Sequence, residues 1–390
     1  MSINLIATTT FGLEAVVKRE CQALGFQNIK TSDGKVEFTG DESDIVKANL
    51  WLRCAGRVWV KMGTFTAVTF TELFDRTKAL PWGDWIPEDG KFTVVGKSVK
   101  STLFSVSDCQ AIVKKAVVEK LKEKYKTDWF DETGASYTIQ VGILKDVVTL
   151  AIDTSGSGLH MRGYRASALD APLKESLASA MVQLSYWRKD RILLDPFCGS
   201  GTIPIEAAML ARNIAPGLNR KFASLAGQGT SEEWERIGKE RWKQARKEAY
   251  QAIDYDVMPE IYGSDIDPAA IELAKANAEL AGVDDCITFE VKPSQEIVLP
   301  GKYGVLISNP PYGERIGELK EVENMYRALG ATMQTDPTWS TYIITSMEYF
   351  ESLFGRKADR KRKLFNGRIK TDYYQYEGPR PPKKQKAEEN

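Results

Sequence analysis

Arg191-Ile-Leu-Leu-Asp-Pro-Phe-Cys-Gly-Ser-Gly-Thr202 is the stretch that decides the fold. Arg191–Leu194 reads as a short buried strand, the glycines form a loop, and a helix runs from about Thr202 to Arg212. Glycines at 199 and 201 let the backbone approach a ligand closely and turn tightly into the helix. An acidic residue leads the loop. Asp195 would repel the pyrophosphate of a dinucleotide but attract the amino group of a cationic cofactor. The spacing also departs from G-x-G-x-x-G, because Ile203-Pro204 follows Gly201. The loop therefore supplies the candidate cofactor contacts Asp195, Pro196, Cys198, Gly199, Ser200, Gly201 and Thr202.

Downstream, strands and helices alternate, which predicts a parallel sheet and an α/β Rossmann-like fold. The expected elements are strand Glu260–Ser264, helix Pro268–Ala281, strand Ile287–Val291, strand Tyr303–Ser308, helix Leu319–Gln334 and strand Trp339–Thr345. A helix over Leu173–Trp187 precedes the glycine loop. Residues 213–258 interrupt the pattern with a helix dense in charge and tryptophan, Glu232–Tyr250, expected to be an insertion packed on the core by Trp234 and Trp242. At the tip of the second strand stands Gly263-Ser-Asp-Ile-Asp-Pro268. Asp265 is placed to accept both ribose hydroxyls of an adenosine, and Ile266 to pack on the adenine. Asp267 before Pro268 is a helix N-cap with proline at the first helical position.

Asn309-Pro-Pro-Tyr312 follows the apolar strand ending at Ser308. An exocyclic amine on a base is a poor nucleophile, because the ring drains its lone pair. Two acceptors, the Asn309 side-chain oxygen and the Pro310 carbonyl, can bind its two protons and favour a tetrahedral nitrogen with a localised lone pair. Pro310 and Pro311 stiffen the loop. Tyr312 offers a face on which an extruded base can stack. This chemistry asks for neither a general base nor a metal.

Upstream of residue 160 the pattern is α+β. Strand Ile3–Ala7, helix Leu13–Leu24, strand Lys35–Phe38 and helix Ser43–Cys54 form one small unit. Helix Phe70–Ala79, strand Phe92–Gly96, helix Ser107–Lys124 and a hairpin of Tyr137–Leu144 with Val147–Asp153 form a second. Lysine plus arginine and aspartate plus glutamate both number 53, so a nucleic-acid surface must be a local patch. The five cysteines contain no CxxC pair and there is one histidine, so no zinc site is expected. The N-terminus lacks the pattern of a signal peptide and no apolar run is long enough to cross a membrane. A soluble, cytoplasmic protein is expected.

The three motifs together resemble class I amino methyltransferases. More closely, the chain resembles the THUMP-domain RNA methyltransferases related to the N-terminal half of the bacterial 23S rRNA guanine-N2 methyltransferase, a group also described as N6-adenine-specific DNA methylases. Arg162-Gly-Tyr-Arg165, Ala171-Pro-Leu-Lys174, Arg212-Asn-Ile-Ala-Pro-Gly-Leu-Asn-Arg220, Asn309-Pro-Pro-Tyr-Gly-Glu-Arg315 and Arg362-Lys-Leu-Phe-Asn-Gly367 share in the resemblance. It implies a ferredoxin-like segment over 1–50, a THUMP RNA-binding domain over 51–160 and a methyltransferase domain over 165–377, while the proline- and lysine-rich composition of 378–390 predicts a disordered tail. It also implies S-adenosylmethionine as cofactor and 23S rRNA as partner, with guanine N2 the target. The second catalytic half of the rRNA enzyme is missing. Where many methyltransferases place an aspartate near the adenine, this chain has Lys292-Pro-Ser294, which makes Ser294 the candidate contact.

Candidate RNA contacts are Lys97 and Lys100, Arg162 and Arg165, and Arg362 and Lys363. Lys97–Lys124 holds seven lysines against three acids and reads equally as an RNA face or a solvated helix face. Gly355–Lys370 holds eight basic residues against one acid and favours backbone contact. Arg162 and Arg165 suit RNA, the cofactor carboxylate or a structural ion pair. Two alternatives stay open. Asn-Pro-Pro-Tyr serves guanine N2 and adenine N6 alike, so the substrate could be adenine in DNA, and an inert RNA-binding assembly factor would share the N-terminal half.

Overall fold

The computed structural model describes residues 2–165, 173–220, 231–313 and 319–382. The predicted motif residues Ala171, Pro172, Glu314 and Arg315, and most of the tail expected to be disordered, lie outside them. The chain divides into two compact units. The first comprises residues 1–10, 17–161 and 216–251, the second residues 11–16, 162–215 and 252–390.

The first unit opens with β1 (Ile3–Thr8), α1 (Glu14–Ala23, its first turn counted with the second unit), β2 (Gln27–Ser32), β3 (Lys35–Gly40) and α2 (Glu42–Trp51). Asp41 starts α2 by accepting the backbone N–H groups of Ser43 and Asp44, while Asp44 accepts the N–H of Asp41. The chain continues through β4 (Arg57–Thr66), α3 (Phe70–Lys78), β5 (Lys91–Val99), α4 (Val106–Tyr125), β6 (Ser136–Leu144) and β7 (Val147–Asp153). The two expected α+β units share one seven-stranded sheet, ordered β2-β3-β1-β4-β7-β6-β5. The strand that joins them is β4, which pairs with β1 on one side and β7 on the other. The hairpin at Lys145-Asp146 is present, both residues carrying positive φ as a tight primed turn requires.

The second unit contributes α5 (Glu175–Leu184), β8 (Leu193–Asp195) and α6 (Thr202–Ala211). The chain then returns to the first unit for 216–251, which holds α7 (Lys239–Gln251). This corrects the expectation that the insertion packs on the methyltransferase core. Trp234 stacks on Tyr137 with ring centroids 4.6 Å apart and donates its indole N–H to the Ser136 carbonyl at 3.1 Å. Arg236 lies 3.9 Å over the Trp85 ring and pairs with Glu42. Aromatic area and a partly buried cation hold the segment to the first unit.

The second unit resumes with β9 (Ile261–Asp265), α8 (Pro268–Ala281), β10 (Ile287–Val291), β11 (Val305–Ser308), α9 (Leu319–Gln334), β12 (Ser340–Thr345), α10 (Phe350–Phe354), β13 (Arg360–Asn366) and β14 (Ile369–Tyr376). Asp267 caps α8 through the Ala269 N–H with Pro268 at its first turn, and Gly282 ends it in the left-handed conformation. The sheet runs β10-β9-β8-β11-β12-β14-β13. Its first five strands are parallel, and β14 is antiparallel to both neighbours. The order reverses between β8 and β11, which is where open α/β sheets bind ligands at their carboxyl edge. Leu194, Leu306, Tyr326, Ile343, Phe350 and Tyr374 belong to the core under that edge.

Candidate active site

Each of the three motifs follows the carboxyl end of a strand: the glycine loop after β8, Asp265-Ile266 at β9, and Asn309-Pro-Pro-Tyr312 after β11. Because β9, β8 and β11 are neighbours, their tips lie side by side. Backbone hydrogen bonds then knit the tips together. Cys198 N–H donates to the Ser264 carbonyl at 2.9 Å, and Lys292 N–H to the Asp265 carbonyl at 2.9 Å. The second bond brings the segment bearing Ser294 beside the tip of β9.

The Asp265 carboxylate joins two loops. One oxygen accepts the Gly199 N–H at 3.0 Å and the other the Asp267 N–H at 3.0 Å. Each oxygen keeps acceptor capacity for a further donor. Next to it Ile266 is 70% exposed, an apolar side chain with nothing of its own unit covering it. Gly199 has φ +51, and a Cβ built on it would meet nothing within 4 Å, so the loop borders open space there. Gly201 differs. Its φ is +80, and a Cβ would stand 3.0 Å from both Ala274 and Phe289, so this glycine serves the packing of loop on helix and sheet.

Asp195 is a correction. It is 1% exposed, and its Oδ1 accepts the Ser308 hydroxyl and, at 3.2 Å, the Phe197 N–H. Burial lifts its carboxyl to about 7, opposed by those two hydrogen bonds. The carboxyl therefore pins β8 to β11 beneath the loop, and it is covered from any cofactor amine above. Pro196, Cys198, Ser200 and Thr202 are buried as well, leaving Phe197 and Gly199 as the loop residues that are partly open. Burial, with Asp195 the next cause, also pushes the Cys198 thiol well up, so it stays protonated.

In the Asn309 loop, Pro310 is buried and Pro311 exposed. The Tyr326 hydroxyl donates to the Pro311 carbonyl at 2.8 Å and sits 3.0 Å from the Thr345 hydroxyl, which anchors the loop to α9 and β12. The Tyr312 hydroxyl donates to Asn309 Oδ1 at 2.6 Å, and Asn366 Nδ2 donates to the Tyr312 hydroxyl at 3.3 Å. Sequence reasoning missed Ser308, Tyr326 and Asn366. Only Asn366 carried a signal, since it stands in Leu364-Phe-Asn-Gly367, one of the stretches that share in the family resemblance.

The candidate RNA contacts divide. Lys97 and Lys100 are exposed on the first unit, and Ser98 and Ser101 near them donate to the Leu103 and Val99 carbonyls. Lys363 is exposed, and Arg362 is half-buried with one nitrogen 3.1 Å from the Gly12 carbonyl. For Arg162 the ion-pair reading holds and the RNA contact is corrected. Its side chain is 1% exposed and pairs with the fully buried Glu206 at 3.2 Å, where Tyr164 adds a 3.3 Å hydrogen bond. A phosphate cannot reach it. Arg165 is largely committed too, to Glu175, the Leu173 carbonyl and the Thr202 hydroxyl. All five cysteines are buried and unbridged. No described helix is long and apolar enough to cross a membrane.

Comparison with known proteins agrees with this architecture. Residues 4–59 match the RlmL ferredoxin-like domain, 67–153 the THUMP domain and 162–375 the RMKL-like methyltransferase domain. The Bacillus subtilis protein named "Putative RNA methyltransferase YpsC" is 52% identical over 387 residues, covering 99% of this chain and 98% of that one. A Listeria monocytogenes structure described as a "predicted N6-adenine-specific DNA methylase" superposes with a TM-score of 0.91 at 51% identity, covering 97% of each chain. SMU.472, a "putative methyltransferase complexed with SAH", gives 0.90 at 41% identity, covering 98% of this chain and 99% of its own. The chain belongs to the RMKL-like methyltransferase family, with RlmL ferredoxin-like and THUMP modules preceding the methyltransferase domain.

Proposed function

We propose that the protein uses S-adenosylmethionine to methylate an exocyclic amino group of a base in RNA, with guanine N2 of large-subunit rRNA as the target. The observation that carries this reading is the shared sheet edge, where Asp265, the open glycine loop and Asn309 stand on three adjacent strand tips. The residues fit the cofactor. Asp265 has acceptor capacity for a ribose diol, Ile266 offers an uncovered apolar surface to adenine, and Gly199 leaves room that a side chain would fill. The SAH bound to SMU.472 supports the same choice. When bound, S-adenosylmethionine supplies an electrophilic methyl group on its sulfonium.

The protein's part is to make the amine nucleophilic. Asn309 Oδ1 and the Pro310 carbonyl accept the two amine protons and so draw the nitrogen out of conjugation with the ring. Their hydrogen bonds strengthen as charge develops on that nitrogen, which is what lowers a barrier rather than a dissociation constant. Tyr326, by gripping the Pro311 carbonyl, holds the loop rigid while this happens. The THUMP domain supports RNA as the substrate, with Lys97 and Lys100 exposed for phosphate. Total RNA and genomic DNA from cells lacking the protein, each incubated with it and labelled S-adenosylmethionine, should yield labelled N2-methylguanosine in the RNA on nucleoside mass spectrometry. Label in N6-methyladenosine would change the base, and label in DNA alone would overturn the reading.

A further inference from the structure

Asn309 Oδ1 is the acceptor on which the proposed chemistry depends, and it already has a donor. The Tyr312 phenol occupies it at 2.6 Å. A phenol has one proton and can give it in one direction only. That direction is set from behind. Asn366 Nδ2 approaches the Tyr312 oxygen at 3.3 Å as a donor, so the phenol's own proton is left to Asn309. Asn366 is the last residue of β13, paired with Ile369 across a two-residue turn whose Gly367 has φ +63. The turn fixes the amide at the edge of the loop. Hydrogen bonds in such a chain polarise one another, so the far donor strengthens the near bond.

Resting on the amino-methylation reading above, we infer that Asn366 is a positioning residue that holds the Tyr312 hydroxyl on Asn309, so an incoming base must displace the phenol to reach its acceptor. The target amine then competes with an internal donor. A protein whose binding-competent state is only partly populated binds its ligand more weakly by that fraction. A neutral hydrogen bond of ordinary strength makes this a factor of roughly two to ten in apparent affinity. The cost falls on every base that seeks this acceptor, so the contact lowers the apparent affinity for RNA without touching the methyl transfer itself.

Three variants test this in methyl incorporation into total RNA from cells lacking the protein. Asn366→Asp puts an acceptor where the donor was and draws the phenol proton away from Asn309. Tyr312→Phe removes the proton but keeps the ring. Tyr312→Phe should lower the KM for RNA roughly two- to tenfold. Asn366→Asp should change KM more than kcat, and its KM when added to Tyr312→Phe should shift only by the repulsion between a carboxylate and phosphate. Asn366→Ala, which adds no charge, should have no further effect in the Tyr312→Phe background. Equal effects of the Asn366 variants with and without the phenol would overturn the inference, as would an unchanged or raised KM in Tyr312→Phe. If Asn309→Ala keeps a normal rate, the amino-methylation reading fails instead, and the two failures are distinct.

Discussion

Replacing Asp195 with Asn should change how stability responds to pH in a calculable way. The carboxyl is 1% exposed and burial raises it from 3.8 to about 7. A raised carboxyl binds its proton more tightly in the folded state than in the unfolded one. The associated stability is present at low pH and drains away as pH climbs through the folded value. Between about pH 5.5 and about pH 8.5 the unfolded side chain stays ionised, while the folded one passes from protonated to charged. That crossing costs the wild type RT times the logarithm of the ratio of the two binding polynomials, about 2 kcal/mol. Asn keeps an oxygen for the Ser308 hydroxyl and the Phe197 N–H, and it cannot ionise. Urea unfolding of both proteins at matched ionic strength, read by hydrogen exchange across β8, gives the difference at each pH. It should move by about 2 kcal/mol in favour of Asp195→Asn over that interval. A difference independent of pH would show that Asp195 is not a buried acid titrating near neutrality.

Asn309→Ala should cut single-turnover methyl transfer on the order of 10²–10³-fold while RNA and cofactor binding stay near normal; comparable losses in binding and rate would refute a transition-state role. Asp265→Ala should weaken S-adenosylhomocysteine binding about tenfold or more by calorimetry, because it loses a charged acceptor and releases Gly199 together. Glu206→Gln leaves the Arg162 charge buried without its counter-ion and should destabilise the protein by about 3–5 kcal/mol in thermal melts; an unchanged melting temperature would mean the pair is not desolvated. Lys97→Glu with Lys100→Glu should weaken RNA binding and flatten its salt dependence by about one unit of slope per lost phosphate contact, with cofactor affinity untouched.

The catalytic half was legible where local chemistry marks its own boundaries. Helix Pro268–Ala281 matches its expected limits because Asp267 and Gly282 are caps visible in the sequence. β10 and α9 likewise follow their apolar periodicity. The motifs were found in order, and their placement on adjacent strand tips follows from the parallel topology. What escaped depends on distant partners. β4 was missed, since a register shift between Lys61 and Gly63 breaks its alternation. The β13–β14 hairpin was hidden because β13 is an edge strand crowded with lysine and arginine, so it reads as a charged patch; its buried apolar residues are Leu364 and the tyrosines 373, 374 and 376 across the hairpin. The choice among RNA, the cofactor carboxylate and an ion pair stayed open for Arg162 because its counter-ion stands 44 residues away. Asp195 was assigned by charge alone, and charge says nothing of how deeply a strand end is covered.

The division of the chain bears on its synthesis. Trp234 and α7 complete the first unit, yet they are encoded after the glycine loop of the second. Residues 11–16 belong to the second unit, where Gly12 sits so tightly that a Cβ would stand 2.7 Å from the Lys363 carbonyl. A ribosome must therefore deliver residue 251 before the N-terminal body can close, and nearly the whole chain before Phe11 meets Phe365. Neither body is a cassette that recombination could lift out at one cut. A gene fragment ending near residue 160 would leave Tyr137 without its tryptophan, and that bare aromatic surface is what chaperones and proteases detect first.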